Sequence, residues 1–174
     1  MKVIISILLL QVGGRNLWGE RPENTEINTI VIHAMNASGV SSRFPFSLRK
    51  CVKILKDYDV SAHYIIDRKG KIYQLVPEEK MAWHAGVSKM PYPDCRDSVN
   101  YFSIGIELIG SEEVPFEERQ YQALNHLIND IKSRRKIEYI LGHSEIATQE
   151  LVDLGLRREA KWDPGRQFDW SKIK

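Results

Sequence analysis

A chain of 174 residues is long enough to bury one substantial core, and its formal net charge of +2 comes from 25 basic and 23 acidic residues. Such a balance, with no large block of one sign, argues against nucleic acid as the main partner, because a nucleic-acid-binding domain carries a clear basic excess. Two cysteines, Cys51 and Cys95, are too few for a disulfide framework; they read as one buried and one loop thiol, a single disulfide staying open for an exported chain.

Residues 1–14 have two readings. Lys2, the apolar run 3–10 and the small residues Val12-Gly13-Gly14 follow the order of a secretory signal, and on that ground export is favoured over a cytoplasmic location. The other reading is an apolar edge segment or an extra β-strand of the domain. The run is too short to cross a bilayer as a helix, so no transmembrane segment is expected. Residues 15–174 read as one domain.

Residues 15–28 are polar and contain Pro22, which makes them a lead-in loop. The β-branched run Thr29-Ile30-Val31-Ile32 is a strand that ends in His33. Residues 34–45, rich in Ser, Asn and Gly, loop over the strand end. Ser47 caps a helix to Tyr58, with Leu48, Cys51, Val52 and Leu55 on one face. Residues 63–67 and 71–76 form a hairpin about the turn Arg68-Lys69-Gly70. Residues 81–100 are long and irregular and include Trp83-His84-Ala85-Gly86; ordered loops of that length are often functional. The apolar strand 103–109 encloses Glu107. Pro115 opens a helix to about Arg135, with Leu124, Leu127, Ile128 and Ile131 as its buried stripe. A strand over 137–142 ends in His143, residues 144–160 are partly helical, and the turn Lys161-Trp162-Asp163-Pro164-Gly165 follows, with Phe168 and Trp170 packing the tail. Alternating strands and helices predict an α/β fold, a single domain with a central mixed β-sheet flanked by helices.

The chemistry gathers at three positions. Histidines at the ends of buried strands are rigidly held, and a Pro-Gly turn can set the Asp163 carboxylate against them. His33, His143 and Asp163 with an open fourth position would make a catalytic zinc site, since that coordination leaves room for an activated water. Glu107, a carboxylate among isoleucines, is paired, at an edge, or functional; near a metal it is placed to take a proton from water. Lys161, two residues before Asp163, can aim an ammonium at a developing oxyanion. Trp83, His84, Arg68 and Asn100 are candidates to line a substrate groove, while His63 reads as a supporting core histidine and His126 as solvated.

The runs Thr29-Ile30-Val31-Ile32-His33, Ser61-Ala62-His63-Tyr64, Ala82-Trp83-His84-Ala85-Gly86, Ser103-Ile104-Gly105-Ile106-Glu107-Leu108, Gly142-His143 and Asp163-Pro164-Gly165 resemble the type-2 family of N-acetylmuramoyl-L-alanine amidases. The likeness is nearest to the anhydromuropeptide amidase branch and extends to phage lysozyme-like amidases and peptidoglycan recognition proteins. It implies zinc on His33, His143 and Asp163, catalytic roles for Glu107 and Lys161, and peptidoglycan or muropeptide fragments as partners. The implied reaction is hydrolysis of the amide between N-acetylmuramic acid, or its anhydro form, and the L-alanine of the stem peptide.

Three features depart from the pattern: Ala34 follows the first histidine where the recycling enzymes carry asparagine, Ala62 stands where phage members carry tyrosine, and residues 147–159 read as an insertion. A non-catalytic peptidoglycan-binding module and another kind of zinc peptidase are the rival readings.

Overall fold

The computed structural model describes residues 7–9 and 17–174. Lys2 and the residues Val12-Gly13-Gly14 of the signal-like pattern lie outside them. Within the described part of the apolar N-terminal run, Ile7–Leu9 is a strand, β1, on one edge of the main sheet. There follow β2 (Trp18–Glu20), β3 (Thr29–Met35), α1 (Leu48–Asp57), β4 (Tyr64–Ile66), β5 (Ile72–Gln74), β6 (Lys80–Ala82), β7 (Ser103–Ile109), α2 (Glu118–Lys132), β8 (Tyr139–Gly142), α3 (His143–Ile146) and α4 (Gln149–Asp153).

Among the described residues the main sheet is mixed and six-stranded, in the order β1-β5-β4-β7-β3-β8, with only the β4–β5 hairpin antiparallel. Strands β2 and β6 pair separately as a small antiparallel ribbon. Among the described residues no helix is long and apolar enough to cross a membrane. Cys51 is buried, Cys95 is exposed, and both are free thiols.

Alternation along the central strands assigns a different job to each face of the sheet. Ile30, Ile32 and Ala34 of β3 and Ile104, Ile106 and Leu108 of β7 turn to one side, where Leu124, Leu127, Ile128 and Ile131 of α2 complete the largest core. This is the helical stripe read from the sequence. Val31 joins a second cluster with Ala85, Met90 and Ile146, while Ile65 and Ile109 join a third with Cys51. Those two clusters lie on the opposite face and flank the positions of His33 and Glu107.

Several boundaries differ from the sequence reading. Strand β3 runs two residues past His33, because Ala34 and Met35 keep their pairing to Leu108 and Ile109 of β7. Helix α2 begins at Glu118 rather than Pro115, where the Glu117 amide donates to Gln120 Oε1 at 3.0 Å and closes the first turn. Strand β8 starts at Tyr139, not at residue 137. The lead-in segment is not a plain loop: it contains β2 and then Arg21, whose guanidinium donates to the carbonyls of Glu78 (3.1 Å), Asn100 (3.0 Å), Tyr101 (2.6 Å) and Ser103 (2.9 Å). The segment 144–160 is partly helical as expected, through α3 and α4.

Candidate metal centre

The register of the central strands places His33 directly beside Glu107 on neighbouring parallel strands, with Ile65 of β4 on the far side. Paired residues of parallel strands share a face, so both polar side chains stand on the side away from α2. His143 is the first residue of α3, just past the end of β8. Asp163 comes from the other direction, on the turn after α4. Two backbone bonds fasten that turn to α3, Ser144 N–H to the Asp163 carbonyl (2.9 Å) and Lys161 N–H to the Ala147 carbonyl (2.9 Å). Gly165 closes the turn with a φ of +81°, where a Cβ would come within 2.9 Å of the Trp162 ring.

The three residues converge. One carboxylate oxygen, Asp163 Oδ2, lies 3.1 Å from His33 Nδ1 and 3.2 Å from His143 Nδ1, and all three side chains are buried. Their ligand atoms lie within 4.8 Å of one another, and this His-His-Asp group could hold a metal ion. The donor set fits zinc chemically, as two imidazoles and a carboxylate leave one position open. The outward nitrogens are engaged as well. His143 Nε2 is 3.2 Å from the Ala85 carbonyl, which can only accept, so that nitrogen bears a proton, and in the neutral ring Nδ1 then presents a lone pair toward Asp163.

The electrostatics agree. Burial lowers the pKa of His33 to about 4, with His143 as the next cause, which keeps the ring neutral and ligand-competent. Glu107 goes the other way: burial first, and Asp163 second, push its pKa well above the ordinary value. Its Oε2 is buried without a hydrogen-bond partner among the described residues.

The remaining sequence candidates divide. His84 joins the centre, its Nδ1 lying 2.9 Å from His33 Nε2. Asn100 holds the segment bearing it, its Oδ1 accepting from the amides of His84 (3.2 Å) and Ala85 (2.8 Å). Trp83 is half-buried, and its amide donates to Ser61 Oγ at 2.9 Å. Arg68 is committed elsewhere, to Glu117 (2.7 Å) and the Pro115 carbonyl (2.9 Å) at the start of α2. Lys161 is half-buried, its ammonium 2.7 Å from Glu159. His63 is fully buried and His126 exposed, as expected.

Two residues near the centre escaped the sequence reading. Trp162, beside Asp163, lines a cleft of about 470 Å³ with Asn36, Ser38, Phe46 and Glu112. Arg157, from the segment 147–159, donates to the carbonyls of Ala85 (3.0 Å) and Val87, so that segment grips the loop that also receives His143.

Comparison with known proteins matches this arrangement to one lineage. The protein 1,6-anhydro-N-acetylmuramyl-L-alanine amidase AmpD of Haemophilus influenzae is 44% identical over 116 residues, covering 65% of this chain and 56% of that protein. The N-acetylmuramoyl-L-alanine amidase AmiD of Escherichia coli is 36% identical over 137 residues, covering 68% of this chain and 45% of that one. The chain thus spans about half the length of these curated relatives. A crystal structure of a selenomethionine AmpD derivative superposes with a TM-score of 0.77 at 30% identity, covering 96% of this chain and 92% of that one. A complex of E. coli AmiD with the substrate anhydro-N-acetylmuramic acid-L-Ala-D-γ-Glu-L-Lys superposes at 0.65 with 31% identity, covering 88% of this chain and 59% of that one. The sequence model described as N-acetylmuramoyl-L-alanine amidase matches residues 23–166, a stretch that holds both histidines, Glu107 and Asp163, and the chain belongs to that family.

Proposed function

We propose that the protein is a zinc-dependent amidase that hydrolyses the amide between N-acetylmuramic acid, or its anhydro form, and the L-alanine of peptidoglycan-derived peptides. The observation that carries this reading is the convergence of two buried imidazole nitrogens on one buried carboxylate oxygen, with the Glu107 carboxyl on the same face of the sheet. The names of the relatives supply the substrate class.

In this reading His33, His143 and Asp163 hold the ion. When bound, zinc supplies Lewis acidity toward a water and the scissile carbonyl. Glu107 takes the proton of the attacking water and returns it to the departing alanine nitrogen, a task that suits a carboxyl whose proton affinity burial has raised. Lys161 leaves the exposed Glu159 to face the oxyanion of the tetrahedral intermediate. Trp162 and the cleft beside it offer an aromatic wall for the sugar or peptide.

Purified muropeptides with and without the anhydro sugar, incubated with zinc-loaded and with chelated protein and read by mass spectrometry, test the proposal. Release of free stem peptide that chelation abolishes is the expected result. Binding without cleavage in both states would make the protein a recognition module instead, and cleavage of sugar-free stem peptides would make it a peptidase.

A further inference from the structure

The His33 ring has two nitrogens, and only one arrangement of its proton lets Nδ1 act as a ligand. The structure holds that arrangement through a relay that begins far from the centre. The Val99 carbonyl accepts a hydrogen bond from Ser103 Oγ at 2.6 Å. A carbonyl cannot donate, so the hydroxyl proton of Ser103 is committed to Val99, and toward His84 the same oxygen acts as an acceptor. His84 Nε2 lies 3.1 Å from that oxygen and therefore bears a proton.

A second proton on His84 would make a buried cation with no carboxylate hydrogen-bonded to it among the described residues, so His84 Nδ1 carries a lone pair. His33 Nε2, 2.9 Å away, must donate to it. The proton of His33 is thereby placed on Nε2, and Nδ1 faces Asp163 as a lone pair, matching what the Ala85 carbonyl does for His143.

The relay is built into the fold rather than draped over it. Ser103 is wholly buried at the start of β7. The His84 ring lies against the backbone of Gly105, where a Cβ would come within 2.4 Å of its Cγ, so no larger residue leaves the ring this seat. The amides of His84 and Ala85 hang from Asn100 Oδ1, which sets the height of the ring above the sheet.

We propose that His84, backed by Ser103, is a positioning residue that dictates the tautomer and orientation of His33, rather than a group that lines the substrate groove. This rests on the reading of His33 as a metal ligand, but its first test does not need the metal. Nitrogen-15 NMR of the metal-free protein at neutral pH should show His33 and His84 both protonated on Nε2. A His33 ring protonated on Nδ1 would overturn the relay.

Zinc affinity, measured by competition with a chromophoric chelator, gives the second test. Loss of an outer partner of this kind costs about 10- to 100-fold in metal affinity. That loss is expected for His84→Phe, which fills the seat but offers no acceptor. His84→Asn, whose Oδ1 can stand where Nδ1 stood, should recover most of it, and Ser103→Ala should leave His84 in mixed tautomers with a smaller loss. Unchanged affinity in folded His84→Phe would refute the proposal, and if that variant does not fold, the parent's NMR signature decides. A parent protein that binds no zinc at all, yet shows the expected tautomers, would refute the metal reading and leave the relay standing.

Discussion

The two faces of β3 and β7 are made from the same few residues of chain and answer to different physics. On the face under α2, Ile30, Ile32, Ile104 and Ile106 join one apolar cluster, so burial there is plain stabilisation. On the other face the same strands present His33, Ser103, Gly105 and Glu107, all buried, and each polar group must find a partner or bear a cost. Around them His63, His84, His33 and His143 stand in a file, with ring centroids 5.8, 5.0 and 4.5 Å apart. One face keeps the sheet folded; the other spends part of that stability on a prepared site.

The sharpest way to break the contrast is Asp163→Ala. On the site face it removes the group on which both imidazoles converge, and zinc binding with all turnover should disappear while the fold persists. Retained turnover in a metal-loaded variant would show that Asp163 is not a ligand. Next comes Glu107→Gln, expected to lower the hydrolysis rate by about 10²- to 10⁴-fold with zinc still bound. The same change should make the metal-free protein more stable near neutral pH, because the raised pKa of Glu107 means that ionisation favours the unfolded chain there. Urea unfolding of parent and variant checks the sign.

Leu127→Ala probes the dry face. It should cost about 2–5 kcal/mol in urea unfolding and leave the turnover of the folded protein unchanged, the reverse of the Glu107 pattern. The last expected effect is with pH. Burial, then Arg21, lowers the pKa of His63 from 6.5 to about 3, so between those values the unfolded state binds the extra proton. Stability from this histidine is complete above pH 6.5 and declines as pH falls toward 3, by about 1.4 kcal/mol per pH unit. Urea midpoints of the metal-free protein at pH 7.5 and 5.0 measure it, and a His63→Phe variant that folds should show a shallower decline.

Much of this was legible in the sequence because it depends on local pattern. The isoleucine runs announced the central strands, and a carboxylate at Glu107 stood out against them. His33, His143 and Asp163 were identified by residue type and neighbouring turn, and the structure brings them together. What the sequence did not show depends on pairing across long separations. Strands β2 and β6 are three residues each, too short for periodicity to mark, and exist because they pair with one another. Trp162 and Arg157 looked like ordinary loop residues, since nothing local says which carbonyl or cleft they will meet. The start of α2 was misjudged because Pro115 is a permissive helix opener, whereas the Glu117–Gln120 bond selects the actual first turn.

Arg21 bears on where this domain starts. The family match opens at residue 23, and a chain trimmed to that border would keep every candidate catalytic residue. It would also leave the carbonyls of Glu78, Asn100, Tyr101 and Ser103 without the guanidinium that ties them. Two of those residues, Asn100 and Ser103, hold His84 through their side chains. The physical border of the domain therefore lies ahead of its recognisable one, and trimming by similarity would unpick the site from behind.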